Sequence, residues 1–391
     1  MERIMLPQWS DHIAALAGAR DALEPLADPR DPLLEQGALK LLFQGLASGV
    51  FTAFGDPDFP DFVPAMNSVL NAAMTNPDFV YGTAMIDGAG TYRISGERGD
   101  SLFVLFDIAA GGLGVMEKPG PTCGTIDLDS LALDADGRFE LLLSAERPTD
   151  WAGNWHRLDP AATTINMREA RYDWRGRDGR FAIDRIDRPH GGRPRDAAAL
   201  AERLAALARY PQRFAGMWVG VVRAMAAKGL WNRFEHDDWA GRGGVAGQHY
   251  YQGLFDIPTG HILLLETEIP DRVRYWNVQL GDLVWNTVDW MNHQSSLNGG
   301  QARMDADGRF RAVIALEDPG VPNWLDPGGN RKGAIMLRWT EGSSGPAPTL
   351  RAVPFDALRD ALPRDTPMVD AMEREKSLRQ RRTAFQMRRR W

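Results

Sequence analysis

The sequence predicts a mixed α and β fold that is mainly β, with two tandem jelly-roll-like antiparallel β-sandwiches and helical segments before, between and after them. Three observations predict it. Short β-rich runs are separated by turn residues at intervals of about eight to twelve residues, a spacing typical of sandwiches. The series of runs occurs twice, and 391 residues exceed what one hydrophobic core usually supports. The predicted segments are a helical N-terminal segment at 1–76, a first sandwich unit at 77–190, a helical linker at 191–244, a second unit at 245–345 and a helical basic tail at 346–391.

The helical segments are predicted from apolar spacing. Apolar residues recur every three or four positions over 39–46, and Asp31 supplies an N-terminal cap that is followed by a first-turn proline. A second short helix is predicted at about 61–74, after a proline-rich break. The linker is predicted to hold two helices, over 196–208 and 214–231.

An internal repeat is the most informative pattern in the chain. The hexapeptide Asp-Ala-Asp-Gly-Arg-Phe occurs at 134–139 and again at 305–310, each time before an apolar strand. It reads as a tight turn in which Gly takes a positive φ, and it lacks the closing Glu of a calcium loop. Asn154-Trp155 later matches Asn323-Trp324, in the same order. We therefore expect a duplicated sandwich unit, with Asn-Trp in a structural role at a shared corner.

Composition excludes several classes of function. The net charge of −7 and the pI near 5.6 argue against nucleic acid as the partner. No 18-residue window is uninterruptedly apolar, and the N-terminus lacks the basic patch and apolar run of a signal peptide. The single cysteine, Cys123, cannot form an intramolecular disulfide. We therefore expect a cytoplasmic protein without integral membrane contact.

Several familiar catalytic motifs are absent from the sequence. There is no G-x-G-x-x-G after a strand, no P-loop, no H-E-x-x-H and no G-x-S-x-G. We therefore expect neither a metal site nor an organic cofactor.

The richest polar segment lies in the second unit, at 275–299. A histidine with a nearby carboxylate can act as a general base, so His293 and Asp289 are predicted to be catalytic. The side chains predicted to bind substrate there are Tyr275, Trp276, Trp285, Trp290, Asn292, Ser295, Ser296 and Asn298. The alternative is that these groups satisfy backbone donors at a long sandwich corner.

A second cluster lies where helix gives way to strand, near the junction of the two units, which is a favoured place for ligand clefts. His236 and Asp237 are predicted to be catalytic, and His249 and Tyr251 to bind substrate. The alternative is that Asp237 caps a turn.

Two further basic features leave alternatives open. The repeat matches Arg168 with Arg338, and each arginine is either paired with a buried carboxylate or part of an anion clamp. In the tail, eight Arg or Lys and one Glu lie between Arg374 and Trp391. That helix either packs back on the acidic body, meets another subunit or binds an anionic surface.

Several of these stretches also carry a family resemblance. Trp276, the 285–290 stretch, Gln294-Ser295-Ser296-Leu297-Asn298 and 322–325 resemble the bacterial domain-of-unknown-function family 1214. The unit that contains Asn76-Pro77-Asp78 and Thr91-Tyr92-Arg93-Ile94 is similar to family 1254. The resemblance covers about residues 30–345. It implies tandem jelly-roll-like sandwiches, and it implies no settled reaction.

Thirteen tryptophans and the polar segments favour a small-molecule site. We expect an enzyme that acts on an apolar or ring-containing small molecule by acid–base chemistry, as a lyase, isomerase or hydrolase. The alternative is a non-catalytic module that binds carbohydrate or lipid. Association into a homo-oligomer through the helical segments is left open.

Overall fold

Two β-sandwiches, each made of two four-stranded sheets, follow one another along the chain. The computed structural model describes residues 9–26, 31–112, 120–189, 197–239 and 243–388. Helices precede the first sandwich, connect the two and follow the second. The predicted class, mixed α and β and mainly β, is therefore confirmed.

The first sandwich consists of strands β1 to β8. Their bounds are β1 Phe79–Met85, β2 Tyr92–Glu97, β3 Phe103–Ala109, β4 Thr122–Asp127, β5 Arg138–Ser144, β6 Asn154–Arg157, β7 Thr164–Ala170 and β8 Arg180–Arg185. One sheet has the order β1-β7-β3-β4 and the other β6-β5-β2-β8. All pairings are antiparallel except the short parallel pair β5–β6.

The second sandwich repeats this arrangement. After the short strand β9 Arg233–Asp237, its strands are β10 Gln248–Asp256, β11 His261–Glu268, β12 Tyr275–Gly281, β13 Ser296–Asn298, β14 Arg309–Ile314, β15 Trp324–Leu325, β16 Lys332–Thr340 and β17 Thr349–Pro354. The sheets have the orders β10-β16-β12-β13 and β15-β14-β11-β17, which are the first unit's orders strand for strand. The unit therefore extends to Pro354 rather than to 345, because β17 pairs with β11 beyond a glycine- and serine-rich turn.

The shared Asn-Trp pair has the same structural role in both copies. Asn154 donates to the backbone oxygens of Ala132 (3.0 Å) and Glu140 (2.9 Å). Asn323 donates to the backbone oxygens at 303 (2.6 Å) and 311 (2.8 Å), which lie 171 positions after Ala132 and Glu140. The prediction of a corner-forming role is confirmed, and the duplication extends to single hydrogen bonds.

The N-terminal helices are α1 Trp9–Ala17, a 3-10 segment at Gly18–Leu26 and α2 Pro32–Phe54. Asp31 caps α2 as predicted, since its side chain accepts hydrogen bonds from two backbone N–H groups of the first turn. In the linker, a single helix, α3 Ala197–Ala227, replaces the two predicted helices and continues through Pro211. The free energy gained by packing its apolar face against α2 offsets the loss of the helical hydrogen bond that proline cannot make. The chain ends in α4 Leu358–Ala361 and α5 Ala371–Gln386.

The predicted helix at 61–74 does not form. Prolines at 60 and 64 interrupt the segment, and the side chain of Asn67 accepts from the backbone N–H groups of residues 69 and 70 in a turn. Ala73 and Met74 have left-handed backbone angles, with φ of 65° and 48°. The segment is instead an irregular stretch packed between the sandwiches.

Within the described residues, α2 is the helix that is long and apolar enough to cross a membrane by length and composition. About a third (33%) of its most apolar window is buried inside the protein. The buried Gln44 donates to Asn286 Oδ1 (2.9 Å) and accepts from the Ala72 N–H (2.7 Å). Because a buried amide is costly without partners, these bonds attach α2 to the folded body.

Candidate functional site

A cavity of about 570 Å³ lies between the two sandwiches. Its wall is formed by the outer faces of β1, β3 and β7 in the first unit and of β10 and β16 in the second, together with α2, α3 and the 55–76 stretch. On β1, Tyr81, Thr83 and Met85 face the cavity, while Ala84 between them lies in the sandwich core. Because successive side chains of a β-strand point to opposite faces of the sheet, one face packs in the sandwich core and the other lines the cavity.

One side of the cavity is aromatic. The rings of Trp218 and Trp239 lie 6.2 Å apart, and Trp239 is stacked on Trp285 at 6.2 Å. Tyr250 extends the row, with its ring 6.3 Å from that of Trp239. All four rings line the cavity and are almost fully buried. Such a wall favours flat apolar ligands.

The polar side of the cavity is built from the repeat. Tyr81 on β1 pairs with Arg168 on β7, and Tyr250 on β10 pairs with Arg338 on β16, so equivalent residues of the two units face the same space. Each tyrosine hydroxyl accepts a hydrogen bond from the backbone N–H five positions earlier, at 2.9 Å for Tyr81 and 3.0 Å for Tyr250. Each hydroxyl can therefore donate its own proton to a bound molecule.

The two arginines differ in their partners. Arg168 forms an ion pair with Asp107 on β3. At the equivalent position on β12 stands Gln279, and Arg338 donates to its side-chain oxygen. The ion-pair alternative is therefore correct for Arg168, whereas the contacts of Arg338 are with uncharged groups.

Burial raises the pKa of Tyr81, and the nearby positive charge of Arg338 opposes this increase. The hydroxyl therefore keeps its proton at neutral pH. Tyr81 is thus present as the neutral phenol, which can donate a hydrogen bond to a bound molecule.

Backbone strain is concentrated around the cavity. Among the described residues, six that are not glycine have positive φ angles, and four of these line the cavity: Ala73, Met74, Trp239 and Trp285. For the two tryptophans, φ is 54° and 69°. Such conformations cost about 1–3 kcal/mol each and cluster at functional sites. The strained backbone at these two tryptophans indicates that the aromatic side of the cavity is a candidate functional site.

The first predicted catalytic pair is not formed. His293 Nδ1 donates to Asp326 Oδ2 (2.7 Å) instead of to Asp289. The Asp289 carboxylate stabilises a turn, since it accepts hydrogen bonds from the N–H groups of Met291 and Asn292 and from the Asn292 side chain (2.6 Å). Asp289 and Asn292 are exposed. The carboxylate that orients His293 thus lies 33 positions further along the chain.

This pair allows a test of pH dependence. The hydrogen bond to Asp326 raises the pKa of His293, so the charged form is stabilised in the folded protein. A raised pKa in the folded state contributes stability that is complete below the pKa of the unfolded chain, about 6.5, and is lost as the pH rises through the folded value. We expect Asp326→Asn to lower the pKa of His293 in an NMR titration and to reduce this acid-side stabilisation. An unchanged His293 titration would contradict the assignment. The internal reference is His261, a half-buried histidine whose Nδ1 lies 2.9 Å from a backbone oxygen.

Tyr275 and Asn298, two of the eight residues predicted to bind substrate in this segment, belong to a buried hydrogen-bond network. Asp78, which is completely buried, accepts from Tyr275 OH (2.7 Å), Asn298 Nδ2 (2.6 Å) and Trp174 Nε1 (2.8 Å). Asn76 Nδ2 donates to the Tyr275 hydroxyl at 2.9 Å. The network joins the two sandwiches at the edge of the cavity, where Asn76 is part of the lining.

The other residues of the segment have local roles. Ser295 donates to a backbone oxygen at residue 288, and Ser296 accepts from Arg381 on α5. Trp276 packs in the core of the second sandwich, and Trp290 packs against α5. Of the predicted residues in this segment, Trp285 is the one that lines the cavity. The alternative of a hydrogen-bonded sandwich corner accounts for most of the others.

The second predicted cluster is brought together, but outside the cavity lining. His236 Nε2 and His249 Nδ1 lie 2.9 Å apart, and the ring of Tyr251 is 5.2 Å from that of His236. Asp237 accepts from the Trp239 N–H (2.8 Å), which is the turn-capping role. The cluster is therefore adjacent to the cavity, since Asp237 bonds to Trp239 and His249 lies next to Tyr250 on β10, and both Trp239 and Tyr250 line the cavity.

The sequence reasoning missed the residues that shape the cavity, although one signal pointed to them. Tyr81, Tyr250, Asp107 and Gln279 were not predicted as site residues, yet the repeat had already matched Arg168 with Arg338. Extending that match to the strands paired with each arginine would have found both tyrosines.

One solved structure has a similar fold. A crystal structure of an uncharacterized protein from Burkholderia cenocepacia superposes with a TM-score of 0.83 at 26% identity, covering 89% of this chain and 97% of that chain. A Vibrio parahaemolyticus protein matches with a TM-score of 0.47 at 12% identity, over 87% of this chain and 100% of that one, a similarity too low to indicate a shared fold. No family model and no curated protein matches the chain.

Proposed function

We propose that the protein is an enzyme that holds an apolar or ring-containing small molecule in the cavity between the sandwiches and acts on it by acid–base chemistry, without an organic cofactor. The observation that carries the proposal is the division of one cavity into an aromatic side and a polar side. A volume of about 570 Å³ suits a ligand of two or three fused rings.

The polar side supports proton transfer to the ligand. The Tyr81 hydroxyl is held by the Asn76 N–H (2.9 Å), and its proton is free to be donated to an oxygen of the ligand. The resulting phenolate would be stabilised by Arg338 and Arg168, whose charges act on this hydroxyl. Tyr81 is therefore the proposed general acid, and the reaction class is that of a lyase, isomerase or hydrolase.

A non-catalytic binding module is the second candidate, and one observation favours it. No histidine belongs to the described lining of the cavity, and its buried carboxylate, Asp107, is already occupied by Arg168 and by the Thr125 hydroxyl (2.7 Å). The apolar side would then suit a lipid-like ligand better than a carbohydrate, since few of its groups form hydrogen bonds.

The remaining expectations are part of the same proposal. We propose membership of domain-of-unknown-function family 1214, a cytoplasmic location, and a small molecule rather than nucleic acid or an integral membrane as the partner. The net charge of −7 supports the exclusion of nucleic acid. Association into a homo-oligomer stays a prediction.

The proposal is tested by filling the cavity. The neutral dye N-phenyl-1-naphthylamine, which fluoresces in apolar surroundings, should bind the wild-type protein at one site per chain. Thr83→Trp places an indole into the cavity from β1, and we expect it to weaken dye binding by about tenfold or more. Thr349→Trp, on the exposed face of β17, is the control and should bind the dye normally. Equal binding by all three proteins would contradict the proposal.

The choice between enzyme and binding module depends on Tyr81. Compounds that compete with the dye are incubated with wild-type protein and with Tyr81→Phe, and product formation is followed. For an enzyme, we expect turnover to fall by about 10²–10⁴-fold while dye competition persists, because the hydroxyl acts only in the transition state. Competition without product formation in the wild type would favour the binding module.

A further inference from the structure

Arg338 is a buried cation without a carboxylate partner in the described part of the chain. Its side chain is 6% exposed and lines the cavity. It donates to the Met74 carbonyl (2.8 Å) and to the side-chain oxygens of Asn277 (3.4 Å) and Gln279, and all three acceptors are uncharged. A buried charge that only neutral dipoles compensate is costly, and a matching counter-charge removes most of that cost.

The first unit shows what such compensation looks like. There, Asp107 neutralises Arg168 and also accepts from the Thr125 hydroxyl. The second unit has Gln279 at the equivalent place on β12. Two copies of one arginine thus face one cavity, and only the copy in the first unit has a counter-ion from the described residues of the chain.

The neighbours of Gln279 keep that position uncharged. Its amide nitrogen lies 3.1 Å from the carbonyl oxygens of Met74 and Thr75 and from the hydroxyl of Thr287. A glutamate would put a negative oxygen against those two carbonyls. The structure therefore selects an amide here, and the positive charge of Arg338 stays available to the cavity.

Other charges in the cavity wall do not replace the missing partner. Asp61 is exposed and Asp56 is half-buried, so solvent screens both carboxylates, and neither is bonded to Arg338. Close to Arg338 are instead the ring of Tyr250, 5.8 Å from its guanidinium carbon, and then the aromatic row that leads to Trp239 and Trp285.

We propose that Arg338 binds the anionic group of the ligand, a compact singly charged oxyanion such as a carboxylate or a sulfonate, while the ring of the same ligand packs along Tyr250, Trp239 and Trp285. This inference rests on the proposed function, since it specifies the ligand of that cavity. The hydroxyl protons of Tyr81 and Tyr250 supply two further donors to the anion. The ligand class is therefore a ring-containing organic monoanion.

Two dyes that differ by one charged group provide the test. 8-Anilinonaphthalene-1-sulfonate carries the oxyanion, and N-phenyl-1-naphthylamine is the same aromatic framework without it. In Gln279→Glu, the new carboxylate supplies Arg338 with an internal partner, as Asp107 does for Arg168. We expect the Kd of the sulfonate dye to rise by about tenfold or more, and that of the neutral dye to change by less than about twofold.

Asp107→Asn is expected to change the affinity for the sulfonate dye in the opposite direction, and it is an independent test should the Gln279→Glu variant fail to fold. It removes the partner of Arg168 and leaves a second unbalanced cation in the cavity, so we expect the sulfonate dye to bind about threefold to tenfold more tightly. A sulfonate dye that binds wild type and both variants with equal affinity would overturn the inference, while binding of the neutral dye would leave the proposed function standing. Binding of neither dye to the wild type would overturn both.

Discussion

Asp78→Ala is expected to lower the free energy of unfolding by about 4 kcal/mol or more, because three buried donors lose their common acceptor. The donors are the Tyr275 hydroxyl, the Asn298 amide and the Trp174 indole N–H, at 2.6–2.8 Å from the carboxylate. No solvent reaches this position, since Asp78 is 0% exposed. The Trp174 N–H would lose the acceptor that it has in the folded protein, whereas Tyr275 and Asn298 would keep only their longer bonds to Asn76 Oδ1 (3.0 Å) and to the Tyr172 carbonyl (3.1 Å).

The measurement is urea unfolding, followed by tryptophan fluorescence, with Asp150→Ala as the control. Asp150 is exposed and should change the free energy of unfolding by less than about 0.5 kcal/mol. Tyr275 belongs to the second sandwich, and Asp78 immediately precedes the first strand of the first sandwich. Loss of the bond between them should therefore also make the two sandwiches unfold at different urea concentrations. A loss of less than about 1 kcal/mol would show that the network does not join them.

Arg381→Ala is expected to cost about 3 kcal/mol, the next largest effect. Its guanidinium donates to the Trp290 carbonyl (2.6 Å), the Ser296 hydroxyl (2.7 Å) and Gln301 Oε1 (3.2 Å), and lies 4.4 Å from the centre of the Trp174 ring. Its charge also acts on the Asp78 carboxylate. Alanine would leave these acceptors without a donor in a poorly solvated place.

Arg382→Ala is the matched control, because the neighbouring side chain is exposed. Both variants remove one positive charge from α5, so a general effect of net charge would appear in both. We expect the unfolding midpoint in urea to fall for Arg381→Ala and to stay within error for Arg382→Ala. Equal shifts in the two variants would refute the assignment of a specific contact.

Three arginines on the C-terminal segment follow one another at intervals of seven residues. Arg374 contacts Asp318 (2.9 Å) in the second unit, Arg381 lies at the network between the units, and Arg388 donates to the Pro77 carbonyl (3.3 Å) at the start of the first. A seven-residue interval keeps Arg374 and Arg381 on one face of α5, and Arg388 follows just after that helix ends. Of the predicted alternatives for this basic helix, packing back on the body accounts for these residues.

The fold could be predicted from the sequence because its signals are local or repeated. Alternating apolar residues, turn glycines and the matched anchors need no knowledge of distant contacts. The prediction of a helix at 61–74 was wrong because prolines at 60 and 64 and the turn at Asn67 interrupt the segment, and tertiary contacts stabilise an irregular path there. The Trp285 carbonyl, for example, accepts from the Met74 N–H at 2.9 Å.

The site could not be predicted in the same way, because its partners are far apart in the chain. Tyr275 meets Asp78 across 197 positions, and Arg338 meets Met74 across 264. Grouping polar residues by nearness in sequence selected 275–299, where Trp285 is the one predicted residue that lines the cavity. The cavity is lined by the outer faces of two sheets, which in a single sandwich would read as solvent-facing polar positions.

A cavity made of two matched halves would accept a ligand in two equivalent poses, related by exchanging the halves. Asp107 in one half and Gln279 in the other remove that degeneracy, because an anion would be attracted to Arg338, which has an uncharged partner, and not to Arg168, which Asp107 neutralises. If the cavity binds the proposed anion, the duplicated chain would hold it in one direction, which a symmetric dimer of single sandwiches could not do. Regioselectivity would then follow from a single divergent pair of residues.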